Sequence, residues 1–349
     1  MTRQLPQTGG GWVELRAAQP AASAAFHRLI DFTWTMADPE LLALCLTWAG
    51  TFLGCPEEAS ALVPEPTTEH AVQTRGAVAD WSRQPGFTSL ERACLSYFEQ
   101  VEMDPSGVTQ TQIDAILEHL SPAELLGFAS AMYLLDAELR MHAVFGYSAS
   151  GRPTRPDSGA QSLPTDTTGP RLAPPAQGAR PDAAAYIQAY QPEYAAVLGA
   201  FGTEVCKLTA VDEVTKELVR LRNAQRQRCD LCMNLRRAGA VRDGLDEAMV
   251  AELARPGSVD EQFSERQRAA IALGDVFTGR DLLLTPELRA EIDRWFTAEQ
   301  LAELAFSLVV WTGNRVLVAL GIAFPVEPGK LTEFEYTRDG QQRYVASGG

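Results

Sequence analysis

FTSLERACL at 87–95 and FSERQRAAI at 263–271 are variants of one string, set 176 residues apart. In each, a hydroxyl residue precedes an acid or amide by three positions: Thr88 with Glu91, and Ser264 with Gln267. This is a capping box, in which two side chains satisfy the first orphan donors of a helix, so both strings read as helix starts. The signature returns at the same spacing in Ser121-Pro122-Ala123-Glu124 and Thr297-Ala298-Glu299-Gln300. Arg140 and Gly146 match Arg315 and Gly321 at 175, and Glu40 matches Glu217 at 177. A nearly constant offset from Glu40 to Gly146 implies a tandem duplication, far longer than a solenoid period. Asp38-Pro39-Glu40 adds a cap residue followed by Pro at the first helical position. Alternating Val/Ile/Thr runs flanking Asn-Gly or Asp-Gly turns are not evident, so strand signals are nearly absent. The sequence therefore predicts an all-α protein of two tandem helical units.

Residues 148–182 are dense in Pro, Gly, Ser and Thr, with almost no large apolar side chain. Such a segment buries too little surface to repay its ordering entropy, and it reads as a linker. The expected organisation is a tail (1–18), a helical unit (19–147), the linker, a second helical unit (183–327) and a tail (328–349). The 349 residues suit two domains, and 46% hydrophobic content allows sizeable cores. A net charge of −15 opposes non-specific contact with nucleic acid or anionic lipid. The N-terminal MTRQLPQTGGGW lacks an apolar core of signal-peptide length. The most apolar stretch, 301–324, is interrupted by Glu303, Asn314 and Arg315, so it reads as a buried helix pair, not a membrane span. Its counterpart, 125–146, is expected to be buried too. These features predict a soluble, cytoplasmic protein.

The chemistry-bearing segment is KELVRLRNAQRQRCDLCMNLRRAGAVRDGLDEAMV, 216–250. Cys229 and Cys232 are three apart, within reach of a disulfide. Between 216 and 242, eight basic residues face only Glu217 and Asp230. Nearby guanidiniums favour thiolate and lower its pKa. Glu217 precedes Cys229 by twelve residues, about 18 Å along one straight helix. If Glu217 serves the cysteines, the chain must turn, and 223–228 is the candidate turn; Cys229 then starts a new helix whose dipole favours thiolate. A zinc site needs four ligands, yet there is one C-x-x-C, and His27, His70, His119 and His142 all lie in the other half. The cysteines also read as ordinary core residues. Some arginines, Arg220 and Arg242 above all, read as a solvated face or an oligomer contact.

E-L-V-R-L-R-x6-C-D-L-C, followed by F-S-E-R-Q-R-A-A-I-A-L, resembles the carboxymuconolactone decarboxylase and alkyl hydroperoxidase D family. The likeness spans 212–325 well and 38–147 weakly. It implies an alkyl hydroperoxidase D-like helical fold assembling into trimers or hexamers. It also implies a C-x-x-C of peroxidatic and resolving thiols, with a proton relay through Glu and His. On this resemblance Cys232 is the peroxidatic thiol, Cys229 the resolving thiol and Glu217 the relay glutamate. Arg236 stands at the family's histidine position after the second cysteine, and Leu231 at the histidine before it. Arginine does not exchange protons near neutral pH, so the resemblance implies a good nucleophile with a poor relay. Arg236, one helical turn past Cys232, is expected to hold the thiolate.

The first unit aligns from Glu40, which sets Phe52 opposite Cys229 and Cys55 opposite Cys232. No Lys or Arg occurs from 29 to 74, so this copy is expected to be degenerate and silent. The reading is a thiol-dependent peroxidase or disulfide oxidoreductase acting on a small peroxide or disulfide. It needs a separate thiol reductant, no cofactor and no metal, and works in a homo-oligomer, a trimer of six units. The alternatives are a non-catalytic scaffold or small-molecule binder of the same fold, and a lactone decarboxylase-like enzyme.

Overall fold

The computed structural model describes residues 11–146, 169–174, 182–254, 262–282, 284–327 and 329–345. The linker read at 148–182 falls outside these residues, apart from 169–174 and Asp182. The fold is all-α with one small sheet. Its helices start where the capping chemistry says. Thr88, Ser121, Ser264 and Thr297 each complete a reciprocal capping box. Asp38 accepts from the Glu40 and Leu41 amides at 2.8 and 3.2 Å.

The helix Pro122–Phe145 is buried around almost its whole circumference, which marks it as a central core element. It packs on Ala298–Thr312, from the other half, and on Asn314–Ala319. The stretch Ala298–Ala319 is long and apolar enough to cross a membrane by composition, yet 78% of its apolar window is buried inside the fold. Gly313 divides it. Any Cβ there would stand 2.9 Å from the Tyr133 ring, and only glycine lets Tyr133 reach across to donate to the Val309 carbonyl at 3.0 Å.

A charge cluster locks this seam. Arg140 Nε donates to Asp136 at 2.6 Å, and its guanidinium pairs with Glu102. Arg315 pairs with Asp136 at 2.7 Å and Glu102 at 2.8 Å. Arg140 donates to the Phe277 carbonyl at 3.0 Å, and Arg315 donates to the Val101 carbonyl at 3.4 Å. The donors are 175 residues apart and the acceptors 176. Residues related by the sequence offset therefore exchange equivalent contacts across the seam. Two carboxylates and two guanidiniums make the buried set neutral, which offsets the cost of desolvating them.

Both expected tails contain ordered structure. Gly11–Ala18 is helical, and Leu15 is buried in the main core. At the C-terminus, Thr332–Tyr336 and Gln342–Tyr344 form an antiparallel hairpin turned at Asp339-Gly340, where Gly340 has φ 81°. The alternating Thr-Glu-Phe-Glu-Tyr followed by Asp-Gly is a hairpin signal, against the expectation that no such pattern exists. Thr332–Tyr336 also pairs in parallel with Leu235–Arg237, immediately after the cysteines.

Candidate functional site

The site grows from one helix and the turn that ends it. Asp212 caps Glu213–Arg226, accepting from the Thr215 amide at 2.8 Å. The helix ends in a Schellman motif. The Arg228 amide donates to the Gln225 carbonyl at 3.2 Å and the Cys229 amide to the Ala224 carbonyl at 3.0 Å. Arg228 carries the left-handed residue of that motif, at φ 52°, a position that usually takes glycine. The turn read at 223–228 is thus present, though confined to its last residues. It folds Cys229 back onto Ala224 in a small cluster with Cys232 and Val318. Cys229 then begins the single helical turn Asp230–Met233. That turn is too short to build the helix dipole expected to favour thiolate.

Glu217 and Arg220 lie three residues apart on one face of the longer helix. Arg220 grips Glu217 with Nε at 2.7 Å and Nη2 at 2.6 Å. The same guanidinium donates to the Cys232 carbonyl at 3.0 Å and the Leu235 carbonyl at 2.7 Å. The Arg237 amide donates to Glu217 at 3.0 Å. Arg220 is 5% exposed and Glu217 0%. Arg220 is therefore an interior residue at the dithiol, not a solvated or oligomer-facing one. Arg242 does lie at the surface, 73% exposed.

Both thiols are free, and they lie in one buried cluster. A hydrogen bond from Cys229, together with the Arg220 charge, holds the Cys232 thiol below its ordinary pKa against burial and the Glu217 carboxylate. Donating that bond, and its own burial, push the Cys229 thiol well up. The two thiols are thus shifted in opposite directions, Cys232 towards thiolate and Cys229 towards thiol.

Arg236 is not at the thiol. The helix that would carry it over Cys232 stops at Met233, and Leu235–Arg237 is extended. Arg236 Nε and Nη2 bind Glu247 at 2.7 and 2.8 Å, while Nη1 donates to the Met233 and Leu235 carbonyls at 2.7 and 2.8 Å. The local basic excess is largely neutralised by acids outside the 216–242 run. Arg222 and Arg226 share Asp275, Lys216 pairs with Glu213 and Glu303, Arg237 with Glu213, and Arg228 with Asp104. Among the described residues, no group of three or more His, Cys, Asp or Glu is arranged to hold a metal ion.

The first half repeats the turn without the chemistry. Asp38 caps Pro39–Phe52, as long at 14 residues as Glu213–Arg226. Gly54 takes the left-handed position at φ 71°, and the Cys55 amide donates to the Gly50 carbonyl at 2.8 Å. Cys55 thus stands where Cys229 does, not opposite Cys232. Counted from the caps, Ala43 occupies the Glu217 position, Leu46 that of Arg220 and Glu58 that of Cys232. Glu40 instead binds Arg75 and the Thr67 amide and hydroxyl, both at 2.7 Å.

Two curated relatives, the uncharacterized proteins Rv2313c and MT2376 from two Mycobacterium tuberculosis strains, are each 26% identical over 251 residues. Each match covers 72% of this chain and 80% of the relative. Residues 192–275, which carry the Glu217–Arg220 face and the Cys229–Cys232 turn, match the Carboxymuconolactone decarboxylase family model.

Proposed function

We propose that the chain is a thiol-dependent oxidoreductase in which Cys232 is the nucleophile and Cys229 the resolving thiol. The observation that carries this reading is geometric: Cys229 is folded back into one buried cluster with Cys232, and the Arg220 guanidinium is held on the Cys232 carbonyl at 3.0 Å. Towards a disulfide substrate, Cys232 thiolate attacks one sulfur and expels the other as thiolate. Cys229, losing its proton, then displaces the remaining thiolate and closes the Cys229–Cys232 disulfide. The substrate gains two electrons, and an external dithiol or two thiols restore the site. Towards a hydroperoxide, Cys232 thiolate takes the terminal oxygen and becomes sulfenic acid, while the alkoxide takes a proton and leaves as alcohol. Cys229 then condenses with the sulfenic acid, releasing water.

Disulfide exchange is the better fit. Both Glu217 oxygens are engaged by Arg220 and one also by the Arg237 amide, so Glu217 serves as a counter-ion more readily than as a relay. Arg236 cannot replace the family histidine in that role. Reaction with an aromatic disulfide reagent tests the reading. The dithiol should release two equivalents of chromogenic thiol and end as a disulfide, and Cys229→Ser should release one and stop at the mixed disulfide. Less than one equivalent from the folded protein would refute it.

We read the first half as a degenerate copy that serves as scaffold, docked through the Arg140–Arg315 seam. From the same resemblance we carry a homo-trimer; light scattering that found a stable monomer at micromolar concentration would end that expectation.

A further inference from the structure

Arg220 lies over an aromatic ring from the far end of the chain. Phe334 is 2% exposed, and its ring centroid lies 5.5 Å from the Arg220 Cζ. Its strand is anchored beside the dithiol. The Thr332 amide donates to the Asn234 carbonyl at 2.9 Å, and Leu235, Arg236 and Arg237 register with Thr332, Glu333 and Phe334. Two residues beyond the ladder's end, the Tyr336 ring lies 5.1 Å from the Arg237 Cζ. Arg220 is thus held by Glu217 and by the Cys232 and Leu235 carbonyls, with its Cζ over the Phe334 ring. A planar guanidinium stacks well on such a ring. Without the π face the guanidinium loses the surface that holds it in place, and its charge is no longer fixed towards the sulfur; where the space is emptied as well, water screens it further.

We propose that Phe334 is a positioning residue of the dithiol site, its ring keeping the Arg220 guanidinium dry and aimed at the Cys232 turn, so that the C-terminal hairpin is a working part of the site. This rests on Cys232 being the thiolate nucleophile. The charged and titratable groups that act on Cys232 are Cys229, Arg220 and Glu217. The guanidinium of Arg237, on the adjoining strand, is committed to Glu213 at 2.7 Å.

The test is the pH dependence of iodoacetamide labelling at Cys232, located by mass spectrometry, in full-length wild type, Phe334→Ala, Phe334→Leu and Phe334→Tyr. The midpoint is the readout, because a more open site changes access at every pH alike. Phe334→Ala and Phe334→Leu should move the midpoint up by about half a unit to one unit, slowing labelling about three- to tenfold below it. Phe334→Tyr, which keeps the ring face, should retain the wild-type midpoint. Leucine fills much of the same space without a π face, so a wild-type midpoint in Phe334→Leu would overturn the proposal even if Phe334→Ala fails to fold. An ordinary thiol midpoint in wild type itself would bring down the nucleophile assignment first, and this proposal with it.

Discussion

Removing Glu217 and Arg220 together isolates what the buried pair does for the thiol. Arg220→Met alone would strand Glu217, fully buried and charged, at a cost of about 3–5 kcal/mol. Glu217→Gln with Arg220→Met leaves no orphan charge, and exchanging a buried ion pair for neutral groups of similar size is often nearly neutral. The two losses act oppositely on Cys232, since Arg220 lowers its pKa and Glu217 raises it. An opposite charge within about 4–6 Å moves a pKa by about one to three units, and Arg220 outweighs Glu217 here. The double variant should therefore raise the Cys232 midpoint by about one unit, slowing alkylation about tenfold below it. The assay is iodoacetamide labelling of Cys232 against pH, with circular dichroism to verify folding. Arg236→Ala is the control and should superimpose on wild type, because Arg236 is spent on Glu247. A shifted Arg236→Ala curve, or an unshifted double variant, would refute the assignment of the activating cation to Arg220.

Glu217→Gln alone removes a carboxylate that opposes the thiolate, so Cys232 should alkylate faster at low pH; slower oxidation by peroxide would instead restore Glu217 as a proton relay. In wild type the nucleophile is present above the Cys232 midpoint and lost as pH falls through it, so labelling should persist below pH ~8.5, the ordinary thiol value. Cys55→Ser should leave Cys232 labelling unchanged and act only on stability, costing about 1–3 kcal/mol for a buried hydroxyl; a large loss of labelling in folded protein would give the first half a role in the chemistry. Arg315→Met should lower stability by about 3–5 kcal/mol in denaturant titration, since Glu102 and Asp136 lose a buried partner; a change under 1 kcal/mol would mean that the seam does not depend on this cluster.

Local chemistry was legible in the sequence because it is written in neighbouring residues. The capping boxes at Thr88, Ser121, Ser264 and Thr297 and the cap at Asp38 each need four residues or fewer. The turn before Cys229 is legible because Glu217 can reach the cysteines only if the chain bends between them. The identity of the activating cation was not legible. Arg220 and Arg236 look alike in a basic run, and only the stop at Met233 and the distant Glu247 separate them. The local positive charge was overestimated for the same reason, since Asp275, Glu303 and Asp104 come from elsewhere in the chain. Glu40, a first-turn acid, sets the wrong register because it matches Glu217 in type but not in distance from the helix cap. Counting from the caps moves the correspondence from 177 to 174 residues and pairs Cys55 with Cys229. Phe334 and Tyr336 carried a readable signal, alternation ahead of Asp-Gly, but nothing local says that their strand adds to Leu235–Arg237.

The account stands most directly on whether Cys229 and Cys232 act as one redox pair in the folded protein. Reduced protein should be exposed to oxidised glutathione, free thiols blocked, and the peptide spanning both residues weighed. A loss of two hydrogens on that peptide, reversed by dithiothreitol, with Cys45, Cys55 and Cys94 still reduced, is the result predicted here. Both cysteines recovered as blocked free thiols, in protein that remains folded, would contradict it.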